Sequence, residues 1–234
     1  KGNIIKYDIF PSYIKSRKQM TYKKVNDIIM RDIIAEDYEP YADTLKEMNN
    51  LAHILRRAKE NRGYIDFNID EPKIICDKDG VCTDIIKVER EDGEKLIEDF
   101  MIAANETVAS HAYNMGVPFI YRVHGEPKKE KVDDYLHLVS LMGYKIVGKF
   151  KDIKPTSFQK ILAQLQDKPE TPILSELLLR SMQKAVYSKD NIGHFGLGSK
   201  CYTHFTSPIR RYPDLTVHRL LRTYLFDHDM SPQT

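Results

Sequence analysis

"GEKLIEDFMIAANETVASHAYNMG" (residues 93–116) decides the fold. Leu96, Ile97, Phe100, Met101, Ile102, Ala103, Ala104 and Val108 spread apolar surface nearly all round a single long helix. A helix without a wide polar face belongs in the interior, so this segment is the expected centre of the molecule. Two polar side chains, Glu98 and Asn105, interrupt it on one face, two helical turns apart. A carboxylate in such a helix costs several kcal/mol, as a rough figure, unless it is paired or bound to something. Two readings of Glu98 are therefore open, a contact with a ligand and a structural pair with a Lys or Arg. Glu106 can simply reach solvent.

Toward the N-terminus, "KIICDKDGVCTDIIKV" (73–88) reads as a hairpin folded about residues 78–80, which brings Cys76 and Cys82 opposite one another. A disulfide between them is geometrically possible. Its Asp/Gly turn is no calcium loop: Gly80 follows Asp77 too soon and no Glu closes the loop. "YIDFNI" (64–69) reads as a strand that projects Phe67. A helix over 38–61 buries Leu45, Met48, Leu51, Ala52 and Leu55 and stops at Gly63. "TYKKVNDIIMRDII" (21–34) is helical by the spacing of Val25, Ile28, Ile29 and Ile33, and "GNIIKYDIFPSYI" (2–14) alternates as a strand. Toward the C-terminus follow the strand "FIYRVH" (119–124), helices near 128–142, 155–167 and 171–187, and a short strand at 144–147. A glycine-punctuated stretch, "HFGLGSKCYTHFTS" (194–207), leads to a last helix with Pro208 in its first turn. The pattern predicts one helix-rich α+β domain with short antiparallel strands and no doubly wound sheet.

Composition bounds the function. The chain has 234 residues, 41% of them hydrophobic, enough for a buried core. Lys+Arg 36 against Asp+Glu 34 gives a formal charge of +2, so any basic surface must be local: "KSRKQMTYKK" (15–24), "LRRAK" (55–59) or "IRRY" (209–212). No run of about 18 apolar residues argues for a membrane span. Three cysteines cannot all pair internally, which points to a reducing, cytoplasmic setting with free thiols. The first residue is not Met, so the chain is expected to be an excised piece of a longer one.

The densest chemistry lies in "HFTSPIRRYPDLTVHR" (204–219). Thr206, Ser207, Pro208 and Ile209 read as a hydroxyl-rich helix start whose free amides and dipole suit a phosphate. Arg210 and Arg211 follow, with guanidinium forks that take two phosphate oxygens each. The alternative is a plain Ser/Thr cap with two solvated arginines. Tyr22 and Phe67 are rings that can stack on a base, worth about 1–3 kcal/mol each, or can pack in a core. No zinc spacing, phosphate loop, dinucleotide glycine pattern or serine elbow occurs.

These residues resemble a known family. "HFTSPIRRYPDLTVHR", preceded by "GHFGLGSKCYT", is similar to the C-terminal signature of the catalytic (RNB) domain shared by ribonuclease II and ribonuclease R. "KSRKQMTYKKV", "KLIEDFMIAANETVA" and "LLLRSMQKAVY" resemble its internal segments in the same order, and "RRYPDL" looks more like the ribonuclease R branch. The resemblance runs through essentially the whole chain. It implies a processive 3′→5′ exoribonuclease on single-stranded and structured RNA, releasing 5′-nucleoside monophosphates with two Mg²⁺ ions held by aspartates. By motif, Arg210 is implied to contact the phosphate near the scissile bond and Tyr22 to orient the terminal nucleotide. Phe67 is implied to clamp the 3′ base and Glu98 to touch the terminal ribose. Thr206 and Ser207 are implied to lie along the RNA path, with His204, Arg211 and Tyr212 as further RNA-binding candidates.

One departure matters. The family's D-x₅-D-x-D-D metal cluster is absent, and "DKD" (77–79) and "VDD" (132–134) lack its spacing. No metal ligand is therefore expected in residues 1–234, which are read as the C-terminal portion of a catalytic domain, without cold-shock or S1 modules. The expected activity belongs to a parent enzyme, with this piece inactive alone. The alternative is a non-catalytic RNA-binding relative that lacks the metal site.

Overall fold

The computed structural model describes residues 2–67, 71–88, 90–147 and 153–231. Helix α1 (Tyr22–Arg31) begins where the Thr21 side chain accepts a hydrogen bond from the Lys24 amide, and it ends at Asp32, whose φ of 56° is left-handed. A 3₁₀ turn (Glu36–Tyr41) leads into α2 (Ala42–Arg62), which stops at left-handed Gly63 as its sequence demands. The buried stripe of α2 is rotated from the expected one: Asn49 and Lys59 are buried, whereas Leu51 faces out.

α1 and α2 both pack on α3 (Asp92–Met115), the long helix on which the sequence reading turned. Gly93 permits the approach of α1: its amide donates to Asn26 Oδ1 at 2.7 Å, where an added Cβ would also lie 2.7 Å from that oxygen. The helix is buried along one face (Leu96, Asp99, Ile102, Asn105, Val108, Ala109 and Ala112), not all round, and Ile97 is 40% exposed.

Strands β1 (Glu71–Cys76) and β2 (Cys82–Val88) form an antiparallel hairpin that, among the described residues, pairs only within itself. A second two-stranded sheet joins β3 (Tyr121–Val123) to β4 (Val186–Ser188). Helices α4 (Lys129–Leu141), α5 (Pro155–Leu165) and α6 (Thr171–Ser181) enclose a core of Val132, Tyr135, Val139, Phe158, Ile161, Leu165, Leu174 and Leu178. α6 stops well before the expected residue 187, because β4 is drawn into pairing with β3. A second core joins Val108, Ala109 and Ala112 of α3 to Phe119, Tyr121, Val217 and Leu221, and a third lies among α1, the 3₁₀ turn and α2.

The architecture is the helix-rich α+β arrangement with short antiparallel strands that the sequence predicts. Three expected strands differ. Residues 2–14 pair with no strand among the described residues, residues 64–67 are irregular with 68 and 69 outside the described residues, and 144–147 are irregular. Among the described residues no helix is long and apolar enough to cross a membrane.

Candidate nucleic-acid interface

The last helix, α7 (Tyr212–Leu221), starts four residues later than its sequence suggests, with Pro213 in its first turn and Pro208 in the turn before it. That shift changes what residues 204–211 can do. Asn105 of α3, buried, accepts hydrogen bonds from the amides of Phe205 (2.9 Å) and Thr206 (3.2 Å) and donates to the Tyr202 hydroxyl (3.0 Å). Asp214, fully buried on α7, accepts from the Ser207 amide at 2.7 Å and pairs with Arg211 at 2.9 Å. The amides of Arg210 and Arg211 donate to the Ser207 carbonyl. The expected cradle of free amides at Thr206–Ser207 is therefore absent, since these groups are already bonded and a carboxylate sits at the start of α7.

What remains for an anion is side chains, and the structure separates the two arginines. Arg211 is half-buried against Asp214. Arg210 is exposed and forms no ion pair with any described residue. Ile209 (97% exposed) and Tyr212 (70%) flank it. Beneath them, Thr206 Oγ1, Arg211 Nε and Asp214 Oδ2 are buried without a hydrogen-bond partner. Each such group costs about 1–3 kcal/mol, which a bound polar ligand or ordered water relieves.

His204 lies behind this turn, 2.7 Å from the Tyr187 hydroxyl through Nδ1. Burial, reinforced by Arg211, pushes its pKa down to about 4, so the ring is neutral at ordinary pH. Its ring meets those of Tyr187 and Tyr202 edge-on, and Arg122 covers Tyr187 at 4.7 Å.

Glu98 lies two turns before Asn105 on α3. Lys59 Nζ (3.1 Å) and the Tyr64 hydroxyl (2.8 Å) both reach Oε1, and Arg90 reaches Oε2 at 2.9 Å. Burial alone would raise the Glu98 carboxyl, but these partners hold it below the usual carboxylate range. The same burial and carboxylate raise the Tyr64 hydroxyl, which stays protonated as a donor. An ionised carboxylate offers about four acceptor sites, and three are used here, leaving one on Oε2 for a neutral donor such as a hydroxyl.

Tyr22, half exposed, lines an apolar groove with Met20, Val25 and Met48 that the first turns of α3 close through Gly93, Leu96 and Ile97. Phe67 packs against the α4–α6 core, and its neighbour Asn68 lies outside the described residues. Helix α3 thus ties together Tyr22 at its start, Glu98 in its second turn and, through Asn105, the loop that carries Arg210. Phe67 joins this set only through the chain, three residues after Tyr64.

Sequence reading missed the groups that hold these residues in place. Asp99 beside Glu98 is the fully buried carboxylate of α3, paired to Arg56 Nε at 2.9 Å and Lys59 Nζ at 2.7 Å. The signal for Asp214 was available: an acid in the first turn after Arg-Tyr-Pro is a helix-start pattern. Among the described residues no three His, Cys, Asp or Glu side chains converge as metal ligands, and Glu98 and Asp99 are committed to cations. These residues do not fit a magnesium pair, and no step through one is assigned to them.

Known proteins resemble this arrangement. Ribonuclease R of Thermotoga maritima is 48% identical over 225 residues, 96% of this chain and 32% of that protein. The ribonuclease R of Mycoplasma genitalium, solved in complex with ribose-methylated single-stranded RNA, superposes with a TM-score of 0.84 at 33% identity, over 91% of this chain and 33% of that one. The same enzyme with double-stranded RNA gives a TM-score of 0.84, over 91% of this chain and 38% of that one. The chain spans about a third of the length of the curated relatives it matches. The RNB domain profile matches residues 1–227, and the chain belongs to the RNB domain family.

Proposed function

We propose that this chain is the part of a ribonuclease R-like 3′→5′ exoribonuclease that grips the RNA 3′ end. The parent enzyme, on this reading, degrades single-stranded and structured RNA to 5′-nucleoside monophosphates in the cytoplasm, with Mg²⁺ held outside the described residues. The observation that carries the reading is Arg210: a guanidinium without an ion-pair partner among the described residues, on a loop fixed by Asn105 and Asp214. Such a group suits a phosphate oxygen. Glu98, ionised with one acceptor site left, suits a ribose hydroxyl and repels phosphate. Tyr22 stands over an apolar groove where a base can stack, and Phe67 would clamp from the opposite core. Thr206, Ser207, His204, Arg211 and Tyr212 line the path, with Arg211 acting through Asp214. The relatives named above, one of them solved with single-stranded and with double-stranded RNA, support the same reading.

The 234-residue chain alone is proposed to bind RNA without cutting it. Fluorescence anisotropy with a labelled single-stranded RNA tests the grip. Arg210→Ala is expected to weaken binding about tenfold or more and to flatten the salt dependence by roughly one phosphate contact. Equal affinity of variant and wild type overturns the role of Arg210. Mg²⁺-dependent shortening of the RNA by the purified chain overturns its inactivity.

A further inference from the structure

We propose that Cys76 and Cys82 form a redox modification site, closing to a reversible intramolecular disulfide across the β1–β2 hairpin when a low-molecular-weight disulfide oxidises the chain. The two residues are direct Cα partners in the register. The Asp77 amide donates to the Val81 carbonyl at 2.9 Å, which makes Asp77 and Val81 the hydrogen-bonded pair nearest the turn. Pair types alternate along an antiparallel ladder, so Cys76 and Cys82 form a non-hydrogen-bonded pair. Their Cα atoms are then about 4.5 Å apart with side chains on the same face. That spacing lies within the roughly 4.4–6.8 Å range that a disulfide bridges.

The local backbone favours closure. A bulge follows the pair, because the register passes from Cys76↔Cys82 to Ile75↔Asp84 and leaves Thr83 unpaired. The Thr83 hydroxyl bonds back to the Ile75 carbonyl at 3.2 Å and pins that bulge. At the turn, Asp77 Oδ1 accepts from the amides of Asp79 and Val81, both at 2.9 Å. The backbone on both sides of the cysteines is thus already set. Cys82 Sγ now lies 3.7 Å from its own strand's Asp84 carbonyl, so closure needs a side-chain rotation and no backbone rearrangement.

Access is equally specific. Both thiols are exposed, whereas Cys201 is buried in the second core and burial pushes its thiol up to about 11. Reaction therefore selects the hairpin. One hairpin thiolate attacks the oxidant disulfide, and a mixed disulfide forms as one small thiol leaves. The second hairpin thiolate attacks the protein sulfur of that adduct, and the second small thiol leaves. Two protein thiols are oxidised to one disulfide while the oxidant's S–S bond is reduced to two thiols. In a reducing compartment the same exchange runs backward. In sequence the hairpin lies between Phe67 and α3, and Arg90, which holds Glu98, comes two residues after the end of β2. A lock here stiffens the segment that links two of the candidate RNA-gripping groups.

The test uses the 234-residue chain in buffers of defined glutathione to glutathione-disulfide ratio, quenched by alkylation and digested with trypsin without reduction. Cleavage after Lys78 separates the two cysteines, so the disulfide appears as linked peptides 74–78 and 79–87. The expected result is that linked pair, unchanged in Cys201→Ser. Cys76→Ser and Cys82→Ser should each carry a single glutathione adduct. The equilibrium constant for closure should be at least about tenfold larger in the folded chain than in concentrated guanidinium chloride, because the hairpin holds the pair together. Two separate adducts with no linked peptide, a link to Cys201, cross-linking only between chains, or equal constants folded and unfolded would each overturn the proposal.

Discussion

At the scale of single residues, the loop that carries Arg210 is held by a side chain that never reaches the surface. Asn105 uses its carbonyl oxygen for two backbone amides and its amide for the Tyr202 hydroxyl, so it fixes three partners from one position on α3. Truncation to Ala leaves those partners unpaired in a buried setting, at about 1–3 kcal/mol for each group that water cannot reach. Asn105→Ala is therefore expected to lower unfolding free energy by about 3 kcal/mol in urea titration and to weaken RNA binding as the loop loosens. Arg210→Ala, on the surface, should leave stability within about 0.5 kcal/mol while it weakens binding. A variant pair that moved both quantities together would mean that Arg210 is structural. The family resemblance singled out Arg210, but spacing alone could not rank the two arginines, because the difference between them is Asp214, three residues after Arg211 but placed beside it only by where α7 begins.

At the scale of elements, the α2–α3 contact is a charged seam with a buried carboxylate at its centre. Asp99 is fully buried between Arg56 and Lys59, and Arg56 also reaches Asp92 at 3.1 Å. Removal of one partner from a buried cluster leaves the others uncompensated, so Asp99→Asn should cost about 3–5 kcal/mol, measured as a fall in the urea midpoint. Glu98→Gln, half-buried beside the same Lys59, should cost less. The sequence made α2, α3, the hairpin and α4–α6 legible, because apolar spacing and Gly63, Gly80 and Gly116 mark them locally. It misjudged places where a distant partner decides. α6 ends early because β4 pairs with β3, α7 begins late because Asp214 reaches back to Ser207, and residues 2–14 alternate like a strand without a described strand to pair with. It also chose Glu98 over Asp99 as the buried carboxylate, since a pattern that is apolar nearly all round gives no bearing on which side faces α2.

At the scale of the whole molecule, two cores meet at a line of imidazole and phenol rings, and that line should make the fold sensitive to mild acid. His124 contacts Phe195 of the α4–α6 core and follows Val123 of the second core; His194, Tyr202, His204 and Tyr187 continue the run edge to face. Burial lowers all three histidines, His204 to about 4 and His194 to about 3, with His124 also below its ordinary value. An unfolded histidine titrates near 6.5. As pH falls from that value, the unfolded chain takes up protons that the folded chain refuses, so the unfolded state binds more and stability declines. Stability from these rings is thus whole above about pH 6.5 and is lost as pH drops toward their folded values. Glu98 is held below the usual carboxylate range and contributes to acid loss only further down, so the interval between about pH 7 and 5 isolates the histidines. The neighbours that tune His204 are Arg211, Asp214, Arg122 and Arg210, of which only Asp214 favours its charged form. Urea midpoints measured at steps from pH 7 to pH 5 should fall steadily for the native chain. His204→Gln, which keeps a polar group beside Tyr187 but cannot titrate, should show a shallower fall. A midpoint flat across the interval, or a slope unchanged in the variant, would mean that the rings take up protons without unfolding, and that the seam between the cores is wetter than its burial indicates.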